Sequence, residues 1–228
     1  MLQNGEVLVR MISNTSPWFQ IAQFVREEVF IVEQQIPADR EMDHIDALSL
    51  HWIAYRIWTQ DQLDNLKHEQ PEQPAPTILR IEYKGDVYLC EPMATLRLFY
   101  AAIANEEEAR MMAEERQTLL FRMGRVATRK CFRGTGVGKL VVLQSEQDLI
   151  SDGGKVLRQL ISLAGADPDR LQVKDMRVQM DLHSQYTVIP FYERNGYIGE
   201  RDPVDANKFL TFMEDGILHA NMSKIIKY

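Results

Sequence analysis

The sequence is poor in cysteine, in long apolar runs and in excess basic charge. Only two cysteines, Cys90 and Cys131, occur in 228 residues, and they are far apart, which excludes a disulfide framework and a paired-cysteine metal site. No run reaches the roughly 20 apolar residues of a membrane-spanning helix. The beginning, MLQNGEVLVR, lacks the basic start and apolar run of a signal peptide. We therefore expect a cytoplasmic protein with no membrane partner.

The charge balance is acidic, with 33 aspartates and glutamates against 26 lysines and arginines. A general nucleic-acid binder shows a basic surface, so we expect no nucleic-acid partner. The sequence is 45% apolar, which is enough to build a substantial core. At this length the chain is expected to form one large domain, with or without insertions.

A glycine-rich turn is the most informative stretch of the chain. It spans Arg133–Lys139 (RGTGVGK), after the strand-like segment Leu119–Thr128 and before the helix-like segment Leu140–Ile150. Glycines at alternate positions remove side chains where the helix begins, so the first helical N–H groups are available to an anion. A phosphate is the usual ligand of such a turn. The alternative is a glycine turn that binds no ligand.

The spacing of the turn separates three kinds of phosphate loop. A Walker loop would need glycine at Arg133 and serine or threonine at Leu140, and a dinucleotide loop would need glycine at Lys139. A nucleotide hydrolase is therefore a low-ranked interpretation. The spacing of Arg133, Gly136 and Gly138 fits Arg-x-x-Gly-x-Gly and resembles the coenzyme A pyrophosphate loop of the GNAT superfamily of N-acetyltransferases.

Three further segments resemble that superfamily and occur in the same order, and the first and the last are similar to its ElaA-like branch. They are VFIVEQ at Val29–Gln34, FYERNGY at Phe191–Tyr197 and EDGILHANM at Glu214–Met222. The resemblance covers most of the chain, apart from residues 59–90 and 101–117. We therefore expect residues 1–228 to be a single acetyltransferase domain with insertions near those two ranges.

The resemblance implies a mixed α/β fold. Its sheet is twisted, mostly antiparallel and splayed between the fourth and fifth strands, with helices on both faces. From the residue pattern we predict a polar, proline-containing insertion or hairpin tip at Thr59–Thr77 and an exposed helix at Asn105–Gln117. Separate strands are predicted at Val87–Cys90 and Met93–Tyr100, and the fifth strand at Met176–Leu182.

The resemblance also implies that acetyl-CoA or coenzyme A binds as cosubstrate. The pantetheine arm would follow the central strand at Val126, Ala127 and Thr128. The pyrophosphate would meet the turn formed by Arg133, Gly134, Thr135, Gly136, Val137, Gly138 and Lys139. Gln185 stands where the family commonly has asparagine and would contact coenzyme A, as would Tyr192.

Candidate catalytic residues follow from the chemistry of acyl transfer. Tyr192 occupies the tyrosine of the family's Phe-Tyr pair and could protonate the departing sulfur; the alternative is a core aromatic. The central strand has no carboxylate or histidine, so the general base must lie elsewhere. Glu33 and Asp181 are the leading candidates, with His183 and His219 behind them. Glu33 follows an apolar run, which predicts a raised pKa.

An acidic segment follows the first helix. By resemblance, the loop with Glu41, Asp43 and Asp46 lies over the acceptor side of the cleft, and its carboxylates are expected to be solvated. A metal site is a weaker interpretation because nothing in the sequence fixes a ligand geometry, and we expect no metal.

The combined prediction is an enzyme that transfers an acetyl or short acyl group from acetyl-CoA to a primary amine. Direct attack in a ternary complex is favoured, because Cys131 has no evident base partner. The acceptor would be a small-molecule amine or a peptide N-terminus, and a homodimer is a further expectation. The alternative is a sensor or scaffold protein that binds acyl-CoA without turnover.

Overall fold

A computed structural model describes residues 6–69, 72, 74–171 and 177–226, and the chain divides into two compact units. The first unit comprises Met1–Arg97 and Arg125–Ser145, and the second comprises Leu98–Gly124 and Glu146–Tyr228.

The helices are α1 (Phe19–Arg26), α2 (Ala38–Glu41), α3 (Gln60–Glu69), α4 (Glu106–Arg116), α5 (Val137–Ile150), α6 (Lys155–Leu163) and α7 (Ile189–Arg194). The strands are β1 (Val7–Ile12), β2 (Leu50–Trp58), β3 (Leu79–Tyr83), β4 (Asp86–Tyr100), β5 (Thr118–Thr128), β6 (Arg177–Gln185), β7 (Ile198–Gly199), β8 (Thr211–Glu214) and β9 (Ile217–Ile226). A π-helix at Glu27–Glu33 continues α1, and 3₁₀ turns occupy His44–Leu48, Lys130–Phe132 and Tyr186–Val188.

In the first unit the strand order is β1-β2-β4-β5, with β3 also pairing with β4. β1 is antiparallel to β2 from Val7↔Arg56 to Ile12↔His51. The apolar face of α1 joins the two strands in one buried cluster, because its apolar residues repeat at helical spacing. This cluster contains Ile12, Trp18, Phe19, Ile21, Ala22, Ile53, Tyr55, Ile81 and Cys90.

In the second unit the strand order is β5-β6-β9-β7, with β8 also pairing with β9. β5 and β6 are parallel from Thr118↔Arg177 to Arg122↔Asp181, after which β5 continues to Thr128 and β6 to Gln185. β6 and β9 are antiparallel from Val178↔Ile226 to Gln185↔His219. The predicted fold class, a mixed α/β protein with a mostly antiparallel sheet, is confirmed, and β5 and β6 form a parallel pair within it.

Thr59–Thr77 was predicted to be a polar insertion or a hairpin tip, and the hairpin is wrong for its first half, which forms helix α3. The amide of Gln62 donates to Thr59 Oγ1 at 3.2 Å, and the amide of Thr59 donates to Gln62 Oε1 at 2.7 Å. This reciprocal cap satisfies two main-chain donors at the helix start, and its Thr-x-x-Gln signature was overlooked in the sequence.

Two strand boundaries also differ from prediction. β4 is one continuous strand through Pro92, where separate strands were expected. Arg129 Nη1 donates to the Pro92 carbonyl at 2.9 Å and the Arg129 amide donates to the Met93 carbonyl at 3.0 Å, so the extended backbone keeps its partners there. β6 runs on to Gln185 because the alternation of exposed and buried residues continues past Leu182. The predicted first residue of that strand, Met176, lies outside the described residues.

Candidate active site

The glycine turn of the first unit has the backbone that its sequence predicts. Gly134 has φ 79° and Gly136 has φ 89°, in the left-handed region where residues with a Cβ are strained. Between them, Thr135 donates through its amide (3.4 Å) and its Oγ1 (2.7 Å) to the carbonyl of Phe132. The turn is therefore fixed by its own residues before any ligand binds.

Helix α5 begins directly after the turn, at Val137. The amide of Leu140 donates to the carbonyl of Gly136 at 3.0 Å, the first helical bond of α5. The amides of Val137, Gly138 and Lys139 precede this bond, at the positions where a helix leaves its N–H groups without intrahelical partners. With the positive end of the helix dipole behind them, these three amides suit an anion.

Gly138 serves a different purpose from the other two glycines. A Cβ added at Gly138 would lie 2.8 Å from Thr128 Oγ1, so the turn approaches the end of β5 too closely for any side chain. Within the same strand, Ala127 is buried against Val25 and Val29. The segment Val126–Thr128, predicted to bind pantetheine, therefore ends in contact with the predicted phosphate turn.

Glu33 and Arg133 form a two-pronged ion pair. Arg133 Nη1 donates to Glu33 Oε1 at 2.7 Å and Nη2 donates to Oε2 at 2.6 Å, while Nε donates to the Thr128 carbonyl at 3.1 Å. Glu33 is the last residue of the π-helix. π-Helices are rare in proteins, and those that occur are frequently found at functional sites. The hydrogen bonds from Arg133 lower the pKa of Glu33, so the predicted increase is wrong.

The central strand β5 contains a kink that the sequence did not reveal. Arg125 has φ 50°, a left-handed conformation that is uncommon outside glycine and that interrupts the pleat as a β-bulge does. Its side chain donates to the carbonyls of Glu41 (3.0 Å, from Nε) and Arg40 (2.8 Å, from Nη2) and to Asp43 Oδ2 (3.2 Å). The kinked residue is thus bonded to the acidic segment.

The acidic segment is part of a buried ion network, so the expectation of solvated carboxylates is wrong. Arg26, which is fully buried, donates to Glu41 Oε1 at 2.6 Å and to Asp46 Oδ1 at 2.8 Å. Arg97 donates to Asp43 Oδ1 at 2.6 Å and to Asp46 Oδ1 at 2.9 Å. Burial alone would raise the pKa of Asp46, but the two arginines hold that pKa at about 2.

His51 borders this network from β2. Its Nε2 lies 3.1 Å from the carbonyl of Asp46, and the ring of Phe19 packs against it edge-on at 4.7 Å between centroids. Burial lowers the pKa of His51 to about 4, so the imidazole is neutral at physiological pH and Nε2–H donates to the carbonyl. Its buried Nδ1 has no partner among the described residues.

Tyr192 lies in α7 of the second unit, where Pro190 occupies the first turn. The ring is 5% exposed and packs edge-on against Phe191 at 5.0 Å and Tyr197 at 5.6 Å. Burial raises the pKa of Tyr192 well above its ordinary value. The hydroxyl therefore keeps its proton at neutral pH, as a proton donor must.

Asp181 lies in the middle of β6, at the last residue that pairs with β5. Its Oδ1 accepts from Gln179 Nε2 at 2.8 Å. Arg122, directly across the parallel pair, instead donates to Glu108 of α4 at 2.6 Å. Burial raises the pKa of Asp181, which strengthens the carboxylate as a base.

Gln185 is the last residue of β6 and stands opposite His219 of β9. His219 Nδ1 lies 2.9 Å from the carbonyl of Ile217, and His183 Nδ1 lies 3.0 Å from Glu214 Oε2. His219 thus has its partner two residues earlier in its own strand, and His183 has its partner on β8. His183, Gln185 and His219 are all held in place by the pairing of β6 with β9.

The described residues contain no group of three or more histidines, cysteines, aspartates or glutamates arranged to hold a metal ion. In the same part of the chain, no helix is long and apolar enough to cross a bilayer.

Three arginines that were not predicted from the sequence organise the acidic segment: Arg26, Arg97 and Arg125. A usable signal existed, because Arg26 falls on the apolar face of α1 and Arg97 falls within an apolar strand. A charge at a core position needs a partner of opposite charge, and the acidic segment provides three. The left-handed backbone of Arg125 left no such trace in the sequence.

Comparison with solved structures shows what this fold is similar to. A protein of Lactobacillus plantarum described as an N-acetyltransferase is 20% identical with a TM-score of 0.54, covering 98% of this chain and 100% of its own. A Pseudomonas aeruginosa acyl-CoA N-acyltransferase is 18% identical with a TM-score of 0.52, covering 96% and 99%. Escherichia coli ElaA is 16% identical with a TM-score of 0.52, covering 96% and 99%.

No protein-family model and no curated protein sequence matches the chain. At these identities the structural likeness shows the fold. The chain therefore has the fold of these acyltransferases, and the resemblance to the ElaA-like branch that its motifs indicated is confirmed at the level of fold.

Proposed function

We propose that this chain transfers an acetyl or other short acyl group from coenzyme A to a primary amine by direct attack. The observation that carries the proposal is the turn before α5. Two glycines hold it in a left-handed backbone, a third lets it touch Thr128, and it leads into the first amides of a 14-residue helix. This arrangement suits a diphosphate that is joined to a strand-bound arm.

In this proposal the amides of Val137, Gly138 and Lys139 bind the pyrophosphate of coenzyme A. Arg133 exchanges the carboxylate of Glu33 for a phosphate oxygen, because both are anions that fit the guanidinium fork. The pantetheine arm hydrogen-bonds to the main chain of Val126–Thr128. Acetyl-CoA is the proposed cosubstrate, and the reaction requires no metal.

The chemical step joins the amine nitrogen to the thioester carbonyl carbon as the carbon–sulfur bond breaks. Main-chain N–H groups would stabilise the carbonyl oxygen as it gains negative charge. Tyr192 is proposed to give its proton to the leaving thiolate. Asp181 is proposed to take the proton of the amine, since its raised pKa brings it nearer to the operating pH than Glu33.

A second candidate function is an acyl-CoA sensor that does not turn over. One observation favours it: Glu33, a candidate base, is held as a carboxylate by Arg133 with a lowered pKa. The acceptor that we propose for the enzyme is a small-molecule amine or a peptide N-terminus. We also propose that the protein is cytoplasmic and forms a homodimer.

Thiol release from acetyl-CoA, measured with a panel of amines, separates the two functions when calorimetric titrations with coenzyme A and ATP accompany it. Turnover supports the enzyme, and binding of coenzyme A without turnover supports the sensor. Binding of ATP alone contradicts both.

A pair of glycine variants tests the turn itself. Gly136→Asp puts a negative charge at the proposed pyrophosphate site, so we expect binding of coenzyme A to be lost. Gly165→Asp is the matched control, because Gly165 also has a left-handed backbone (φ 76°) with open space around it, in the turn after α6. Retained binding in Gly136→Asp would remove the turn from the coenzyme site.

A further inference from the structure

Arg125 combines two features that point to a role beyond folding. Its backbone is left-handed (φ 50°) although it carries a Cβ, in the middle of an 11-residue strand. Such strain persists only where the surrounding structure enforces it, and it is concentrated at functional sites. The next three residues of β5 are the segment proposed to bind pantetheine.

The side chain of Arg125 shows what enforces the strain. Three hydrogen bonds join it to the loop at residues 40–43, which here includes the last two residues of α2: two to the successive carbonyls of Arg40 and Glu41, and one to the carboxylate of Asp43. The side chain is 27% exposed; its bonds to Glu41 and Asp43 are partly buried, and its bond to Arg40 is exposed. The planar guanidinium of an arginine can donate to the carbonyls of two successive residues at once. The ammonium group of a lysine lacks this geometry.

The loop at residues 40–43, to which Arg125 is bonded, is itself held in place by two other arginines. Arg26 holds Glu41 with a 2.6 Å ion pair, and Arg97 holds Asp43 through both of its carboxylate oxygens at 2.6 and 2.8 Å. Arg26 and Arg97 come from α1 and β4, which are part of the core of the first unit. The tether from Arg125 therefore ends on a rigid anchor.

We propose that Arg125 is a positioning residue that fixes the loop at residues 40–43 to the kink of β5. This inference rests on the proposed function, in which that loop lies on the acceptor side and Val126–Thr128 carries the acyl arm. The tether makes the loop and the acyl-bearing strand one rigid piece. Alignment of the amine with the thioester then depends on Arg125, whereas affinity for coenzyme A does not.

Amide hydrogen exchange tests the tether without any assumption about activity. Arg125→Gly removes the side chain while glycine accommodates the left-handed backbone, and Arg125→Lys keeps the charge but loses the fork. We expect faster exchange at residues 38–48 in both variants, with the core of β1 and β2 unchanged. Unchanged exchange at residues 38–48 in Arg125→Gly would overturn the tether.

Steady-state kinetics test the positioning role. In both variants we expect turnover at saturating substrates to fall by about tenfold or more, with the coenzyme A dissociation constant within about threefold of wild type. Arg80→Lys is the control, since Arg80 lies in β3 with its side chain 67% exposed. Turnover within about twofold of wild type, or a parallel loss of turnover and coenzyme affinity, would overturn the inference.

The two proposals fail in distinguishable ways. If the wild-type chain neither binds coenzyme A nor releases thiol, the proposed function fails, while hydrogen exchange still decides whether the tether exists. If wild type turns over and Arg125→Gly does so equally well, the proposed function stands and the positioning role fails.

Discussion

The carboxylate of Glu33 binds the guanidinium of Arg133 through both oxygens, at 2.7 and 2.6 Å. This pair joins the end of the π-helix to the glycine turn. In the proposed function, the pyrophosphate of coenzyme A competes with Glu33 for Arg133. If coenzyme A binds the turn as proposed, we expect Glu33 to weaken that binding by occupying Arg133, a role separate from that of a general base.

Glu33→Gln separates these two roles. Loss of the competing carboxylate should tighten binding of coenzyme A by a few-fold, an effect that added salt reduces because the pair is well exposed to solvent. Turnover at saturating substrate should stay within about threefold of wild type, since a base of lowered pKa contributes little. Glu27→Gln, an exposed position at the start of the π-helix, is the control. A loss of about 10²-fold in turnover would restore Glu33 as the base.

Gly138 and Thr128 should be energetically coupled. Gly138→Ala places a Cβ 2.8 Å from Thr128 Oγ1, so we expect a lower melting temperature and weaker binding of coenzyme A. Thr128→Ala removes that oxygen, and the double variant should recover most of the loss. Thermal unfolding of all four proteins gives the coupling free energy. Additive effects would contradict the close approach of turn and strand.

Stability should fall in mild acid because of His51. Its pKa is about 4 in the folded protein against an ordinary 6.5, so the unfolded chain binds more protons between these values. The free energy of unfolding should drop as pH falls through this window, by about 2 kcal/mol between pH 7 and pH 5. The lowered pKa of Asp46, about 2 against 3.8, adds a further loss only below about pH 4.

Urea unfolding at pH 7 and pH 5 measures this effect. His51→Gln should remove most of the drop between the two pH values, even if it lowers stability at both. His44→Gln is the control because His44 is exposed in the neighbouring 3₁₀ turn. A drop of equal size in wild type and His51→Gln would place the pH sensitivity elsewhere.

Tyr192→Phe tests the proposed proton donor. The ring is packed between aromatic neighbours and phenylalanine preserves that packing, so binding of coenzyme A should change little. Turnover should fall by about 10²-fold, the usual contribution of a general acid. Tyr186→Phe, at an exposed tyrosine three residues before α7, should have no effect. Equal losses of turnover and affinity would assign Tyr192 to packing alone.

The sequence predicted most of the fold because the informative signals are local. The glycines of the turn, the cap at Asn105 and the alternation in β6 each act over a few residues, and each reappears in the structure. The capping pair at Thr59 was equally local and was overlooked. Predicted strand boundaries were wrong where contacts with distant residues decide them. At Pro92, for example, contacts with Arg129 keep β4 extended.

The candidate site was less predictable because its organising contacts are remote in sequence. Arg125 meets residues more than 80 positions away, and Arg133 meets Glu33 across 100 positions. No window of sequence contains such pairs. Arg133 lowers the pKa of Glu33, and Arg125 pairs with Glu41 at 3.3 Å in addition to Arg26, so the sequence expectations for both carboxylates failed.

The central claim is that the first amides of α5 bind the diphosphate of coenzyme A. A crystal structure of the complex tests it most directly. We predict pyrophosphate oxygens within about 3 Å of the amide nitrogens of Val137, Gly138 and Lys139, with Arg133 turned from Glu33 to a phosphate. A coenzyme A molecule whose diphosphate lies elsewhere, with these amides bonded to the protein's own acceptors, would contradict the account.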